Sequence, residues 1–260
     1  MPNSSTQRMA TLAIALTTTV LAGAALAASA FTIPKAENTN AIAMRGDLFG
    51  PVVAVVTAGD TVTWTNQDAT AHSVVAYPSQ PAAFDVTVAP GKTGTVTFAK
   101  PGIYRYYSKQ DAGYDAALNA VKANDNSPAS PSPMRGVIVV LSKDGTLPTS
   151  GTHAITIPES SMMFEPWDLT VKAGTTVTWT NDDGDMHVAS PVPGYVTQTF
   201  PTLSLPASGG TASHTFDQPG VYYYYCAVHA RWDADKGTMV PLTSYGSYPY
   251  VQDGIIVVTP

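Results

Sequence analysis

The sequence predicts an all-β protein built as two tandem Greek-key β-sandwich domains. Three observations carry that prediction: a long segment occurs twice, each copy consists of short β-branched and aromatic runs bounded by turn residues, and helical periodicity is almost absent. Phe49-Gly50-Pro51 through Thr61-Val62-Thr63-Trp64-Thr65-Asn66 returns as Phe164-Glu165-Pro166 through Thr176-Val177-Thr178-Trp179-Thr180-Asn181, at an offset of 115. Six positions after each Asn stands a histidine, His72 or His187. Pro101-Gly102-Ile103-Tyr104-Arg105-Tyr106-Tyr107 returns as Pro219-Gly220-Val221-Tyr222-Tyr223-Tyr224-Tyr225, at an offset of 118. Each copy closes on glycine and a β-branched run, Gly136 to Val140 and Gly254 to Val258. Units of about 110 residues are too long for a solenoid repeat and match the size of a small domain.

Taken in order, residues 1–30 read as a secretory signal. Met1 to Arg8 is polar with one positive charge, Met9 to Leu26 is uncharged, and Ala28-Ser29-Ala30 offers a cut before Phe31. The first domain is placed at 31–142, a polar linker at 143–152, and the second domain at 153–260. Thr61 to Trp64 and Thr176 to Trp179 are strands, bounded by Ala-Gly and Asn-Asp turn chemistry. Pro-Gly before Ile103 and Val221 turns the chain into a further aromatic strand. One helix is expected, Tyr114 to Asn124, with Ala117, Leu118 and Val121 on one face, followed by a Ser/Pro loop from Ser127 to Pro133.

Composition excludes several classes. With 44% hydrophobic and 12% charged residues the chain is not disordered. An excess of Asp and Glu (19) over Lys and Arg (13) excludes the basic footprint of a nucleic-acid binder. After residue 26 no segment is apolar enough to span a bilayer, so the expected product is secreted or periplasmic, with no stable membrane insertion after signal cleavage. A single cysteine excludes an intrachain disulfide, so Cys226 needs another role.

Cys226 ends the tyrosine strand, and His229 follows in Cys226-Ala227-Val228-His229. Alternation puts Tyr222, Tyr224 and Cys226 on one face and Tyr223 and Tyr225 on the other. With His187 added, two imidazoles and a thiolate form the trigonal donor set that suits copper in electron-transfer sites. At these residues the chain resembles the cupredoxin family, which includes plastocyanin, amicyanin and pseudoazurin. The resemblance rests on Val-Thr-Trp-Thr-Asn-x5-His, on Pro-Gly-x-Tyr-x-Tyr-x-Cys-x2-His and on the closing strand, and it covers both repeats. It implies a type 1 copper, one Cu(I)/Cu(II) per chain, with His187, Cys226 and His229 as equatorial ligands. The family's axial Met is not at its usual spacing. Ser108 to Gly136 and Cys226 to Gly254 both span 28 positions, so Met134 in Met-x-Gly matches Gln252 in Gln-x-Gly. Gln252 is therefore the expected axial ligand, with Met239 as the alternative. Val188 departs from the Asn that often follows the first His in the family.

In the first copy the matching positions are His72, Ser108, Asp111 and Met134, so the thiolate and second imidazole are missing and a copperless domain is expected. His153 and His214 have no partner pattern and read as surface or linker histidines. Five histidines without a His-x-His pair, and Ala227 rather than His after Cys226, argue against multicopper oxidase and nitrite reductase chemistry. The expectation is an electron carrier rather than a catalyst. Alternatives are a copper-binding or delivery protein, and a copper oxidoreductase completed across subunits. Residues 31–142 carry eight basic and eight acidic side chains, whereas 143–260 carry four and eleven. Asp182, Asp183, Asp185, Asp233 and Asp235 gather near the inferred ligands, which points to a basic redox protein as partner.

Overall fold

The computed structural model describes residues 39–78, 80–124, 132–193, 199–242 and 249–260. The expected signal, residues 1–30, and most of the Ser/Pro loop lie outside the described residues. The first domain contains β1 (Ala41–Met44), β2 (Phe49–Gly50), β3 (Val53–Thr57), β4 (Thr61–Asn66), β5 (His72–Ala76), β6 (Asp85–Val88), β7 (Thr93–Thr97), β8 (Gly102–Tyr107), β9 (Ala112–Asp115), β10 (Ala120–Ala123) and β11 (Arg135–Leu141). The second contains β12 (Ala154–Ile157), β13 (Asp168–Lys172), β14 (Thr175–Asn181), β15 (His187–Pro191), β16 (Leu203–Leu205), β17 (Gly210–Phe216), β18 (Gly220–Tyr225), β19 (Ala230–Asp233), β20 (Thr238–Pro241) and β21 (Asp253–Thr259).

Each domain is a two-sheet sandwich. The sheets run β2-β1-β4-β7 and β3-β11-β8-β5-β6 in the first, and β12-β14-β17 and β13-β21-β18-β15-β16 in the second. The pairing is mixed rather than purely antiparallel: β1 with β4, β3 with β11, β12 with β14 and β13 with β21 are parallel. These pairs arise because the chain crosses between sheets from β3 to β4 and from β13 to β14, so sheet neighbours are not chain neighbours. Gly59 and Gly174 take positive φ of 102° and 85° in the Ala-Gly turns, a conformation in which a Cβ would be strained.

Both cores repeat one aromatic arrangement. Tyr106 packs edge-on against Trp64 with centroids 5.4 Å apart, as Tyr224 does against Trp179 at 5.8 Å. Phe49 and Phe164 complete the trios at 4.8 and 4.9 Å. Gly136 and Gly254 lie against the phenols of Tyr106 and Tyr224, where any Cβ would collide with the ring. That contact explains why glycine is the second residue of each closing strand.

The expected helix at Tyr114 to Asn124 is a β-hairpin, β9 pairing with β10. Asp115 Oδ1 accepts the amides of Ala117 and Leu118, and Asn119 turns back with φ 46°, a conformation an α-helix interior excludes. The second domain repeats the hairpin as β19–β20, inside the long interval after His229. Among the described residues there is no helix, and none is therefore long and apolar enough to cross a membrane.

The two five-stranded sheets pack on each other through Val53, Val55, Val137 and Val139 against Tyr223, Ile255 and Val257. The closing strands β11 and β21 are consequently buried on both faces, which is why they read as unbroken β-branched runs. Leu147, from the segment between the domains, is buried in the same cluster.

Candidate metal centre

Alternation along β18 places Tyr222 and Tyr224, followed by Cys226, in the sandwich core of the second domain and Tyr223 in the interdomain cluster. Tyr225 therefore packs toward the first domain rather than outward to solvent. His187 begins β15, and His229 lies in the turn after Cys226, whose carbonyl accepts the His229 amide at 3.0 Å. Gln252 precedes β21, and its carbonyl accepts the Cys226 amide at 3.0 Å; Met134 accepts the Ser108 amide at the same distance in the first domain. The register inferred from the two 28-residue intervals is thus a backbone hydrogen bond in both copies.

Four side chains converge. Cys226 Sγ lies 3.7 Å from His187 Nδ1 and 3.3 Å from His229 Nδ1. Gln252 Oε1 lies 3.1 and 3.0 Å from the same two nitrogens. All four residues are buried, His187 and Cys226 completely. Met239 is instead packed in the interdomain cluster, away from the core cluster that holds Cys226.

Asp183 Oδ2 lies 3.0 Å from His187 Nε2. A carboxylate only accepts, so Nε2 carries the ring proton and Nδ1 of the neutral ring presents a lone pair toward the cluster. That lone pair faces the Gln252 carbonyl oxygen at 3.1 Å, and these two electron-rich atoms repel each other without a cation between them. Donors bound at ~2.0–2.3 Å around one metal sit roughly 3.5 Å apart, close to the spacings found here. The Gln252 Nε2, buried without a hydrogen-bond partner, is a further sign that the amide is held for its oxygen.

Burial pushes the Cys226 thiol up, with the amides of Val188, Val228 and His229 pulling the other way. Burial, together with the neighbouring His187, pushes His229 down, so the pocket favours a neutral His229 ring with its lone pair available. The Val188 amide donates to Sγ at 3.4 Å, a backbone contact made without the Asn that is common at this position in the family.

Asp183, one of the acidic residues gathered near the inferred ligands, is only 7% exposed and bonded to a ring. Its signal was available in the sequence: an Asp four positions before the His occurs in both copies, as Asp68–His72 and Asp183–His187. Asp182, Asp185 and Asp235 are exposed, while Asp233 pairs with Arg231 at 3.2 Å. Asp183→Ala is expected to lower copper affinity by ~10–100-fold while keeping the visible band, measured by competition with a chelator.

In the first domain the equivalent centre is closed by hydrogen bonds. His72 Nδ1 lies 2.8 Å from Asp111 Oδ2 and Nε2 lies 3.0 Å from Asp68 Oδ2, with Asp47 at 3.7 Å. Ser108 Oγ donates to Asp111 and accepts the Ser73 amide at 3.1 Å, as Cys226 Sγ accepts Val188. Burial opposes charge on His72, but Asp111, Asp68 and Asp47 outweigh it and raise its pKa. His153 is exposed, and His214 lies half-buried against Phe216, with ring centroids 4.8 Å apart. Among the described residues the clusters able to surround an ion are His187–Cys226–His229 and Asp47–His72–Asp111.

Residues 152–235 match the family described as copper binding proteins, plastocyanin/azurin family, and residues 11–116 match the cupredoxin-like domain. A plastocyanin from Scenedesmus fuscus is 35% identical over 87 residues, covering 30% of this chain and 86% of that protein. Chloroplastic plastocyanin from Oryza sativa subsp. indica is 39% identical over 75 residues, 26% of this chain and 49% of the relative. The chain thus spans about half the length of the chloroplastic relatives it matches. Among solved structures, a purple cupredoxin from Nitrosopumilus maritimus aligns with 29% identity over 41% of this chain and 98% of its own, with a TM-score of 0.29. Copper is the cofactor that these relationships imply, and thiolate and imidazole donors for it are present. The chain belongs to the plastocyanin/azurin family of copper-binding proteins and is built as two cupredoxin domains in tandem.

Proposed function

We infer that the protein is an exported blue-copper electron carrier holding one copper in its second domain. His187 Nδ1, Cys226 Sγ and His229 Nδ1 are its equatorial donors and Gln252 Oε1 its weak axial donor. The observation that carries this reading is the convergence of four buried donors, with the far nitrogen of His187 tied to Asp183. Copper bound there would supply a one-electron Cu(II)/Cu(I) couple.

The chain's own residues keep the change between the two states small. Cys226 and His229 share one turn closed by a backbone bond, Gln252 is tied to Cys226 by another, and Asp183 holds the His187 ring. Burial of all four excludes water from the donors. The same burial argues against metal delivery, because His229 is only 2% exposed and an acceptor has little of it to grip. The first domain, with Ser108 and Asp111 where Cys226 and His229 stand, lacks the soft sulfur that copper(I) favours and acts as a copperless partner. A basic redox protein is the proposed electron partner, met by the exposed Asp182 and Asp185 beside the exposed Met186.

The test is copper loading of the full chain followed by visible and EPR spectra through one redox cycle. An intense thiolate-to-copper(II) band, bleached by one electron per chain and restored on oxidation without metal loss, supports the carrier. Metal that passes to a chelator on reduction overturns it. Gln252→Met is expected to shift the reduction potential while Met239→Leu leaves it unchanged. The reverse result would reassign the axial donor.

A further inference from the structure

We propose that the copperless first domain is a working part of the copper centre, because its Arg135 pairs with Asp253, the residue directly after Gln252, and holds it in position. The proposal rests on the copper assignment above. Asp253 is completely buried, and its carboxylate accepts four hydrogen bonds. Arg135 donates from Nη1 at 3.1 Å and from Nη2 at 2.5 Å, Trp167 Nε1 donates at 2.8 Å, and the Tyr223 hydroxyl donates the fourth. Those bonds use the acceptor sites of the carboxylate, and Arg135 is the donor that comes from the other domain.

Asp253 is bound into the centre through the backbone as well. Its neighbour Gln252 accepts the Cys226 amide, and Asp253 itself stands opposite Tyr225, the residue before Cys226. A strand pinned at Asp253 holds Gln252 Oε1 at its distance from both ring nitrogens. The fork of Arg135 grips both carboxylate oxygens, so it restrains rotation as well as translation.

The pair also sets the local charge. Arg135 stays charged at any working pH, and with Asp253 it is neutral overall. If the carboxylate is removed, a positive charge remains buried one residue from the axial donor, in a medium that screens it poorly. That charge disfavours the more positive copper(II) state, so the reduction potential rises. If both charges are removed, the field returns to neutral and the potential returns with it.

Copper-loaded full-length chains are compared by visible spectrum, EPR and reduction potential: wild type, Asp253→Asn, the double variant Arg135→Gln/Asp253→Asn, and Val139→Ala. Asp253→Asn is expected to raise the potential and alter the copper hyperfine splitting, and the double variant to restore most of the potential shift. Val139→Ala loosens the same interface away from the pair and is expected to lower the melting temperature with the potential unchanged. An unchanged potential in Asp253→Asn, or a double variant keeping the full shift, overturns the proposal. If Asp253→Asn does not fold, Arg135→Gln reads the opposite sign: its potential falls, and an unchanged value overturns the proposal. A wild type without the thiolate band removes the copper assignment and this proposal together, whereas a wild-type band with an insensitive Asp253→Asn removes only this one.

Discussion

Copper-loaded Cys226→Ser has no intense visible band, and its affinity for copper(I) falls by more than the ~100-fold upper range for losing an outer partner of a ligand. The substitution replaces a polarisable sulfur by a hard hydroxyl in a site whose other proposed donors are two imidazoles and an amide oxygen. Fold stability changes little by comparison, because the volume change is small and the first domain already accommodates serine at the same place. There, Ser108 Oγ accepts an amide hydrogen bond and turns its proton to Asp111. The converse variant is equally informative. Ser108→Cys alone gains no blue band, because His72 Nδ1 is engaged by Asp111 and no second imidazole is in reach. Visible absorption and chelator competition on both variants check the pair.

Asp253→Ala destabilises the protein by ~3–5 kcal/mol, the range for breaking a buried ion pair from one side. The loss leaves the Arg135 guanidinium unpaired at a site where the two side chains are only 12% and 0% exposed. It also strips Trp167 Nε1 and the Tyr223 hydroxyl of their acceptor. For a protein of this size the melting temperature drops by about 6–20 °C, measurable by calorimetry. Lys109–Asp85 provides the contrast: at 2.7 Å it is a good pair, but its side chains are 46% and 53% exposed. Asp85→Ala is expected to cost less than ~1 kcal/mol, because water competes for both charges.

What could be read in the sequence was whatever is local or repeated. Trp64 and Trp179, the two tyrosine strands, and the spacings behind the proposed set His187, Cys226, His229 and Gln252, whose side chains converge, all lie within short windows or at constant offsets. The hairpin at 112–123 was misread because Ala117, Leu118 and Val121 satisfy a helical period, while the turn depends on Asp115 capping two amides and Asn119 taking positive φ. The acidic cluster by itself gives no sign that Asp183 is its buried member; the repeated Asp-x3-His spacing does. Arg135 and Asp253, 118 positions apart, carry no local pattern at all. Only the packing of two sheets brings them together, and the same packing partly covers Tyr225.

Arg135 and Asp253 occupy equivalent places in the two repeats, as Tyr106 and Tyr224 do, and the faces that meet around them are equivalent too. An interface of this kind is the isologous type found in two-fold dimers, here enclosed within one polypeptide. Had the halves stayed identical, the same side chain would have faced its own copy where the two sheets meet. With arginine in one half and aspartate in the other, pairing of unlike halves is rewarded, while either half meeting its twin would press like charges together in a dry contact. That unlike pair favours the tethered complement over a second copy of either half.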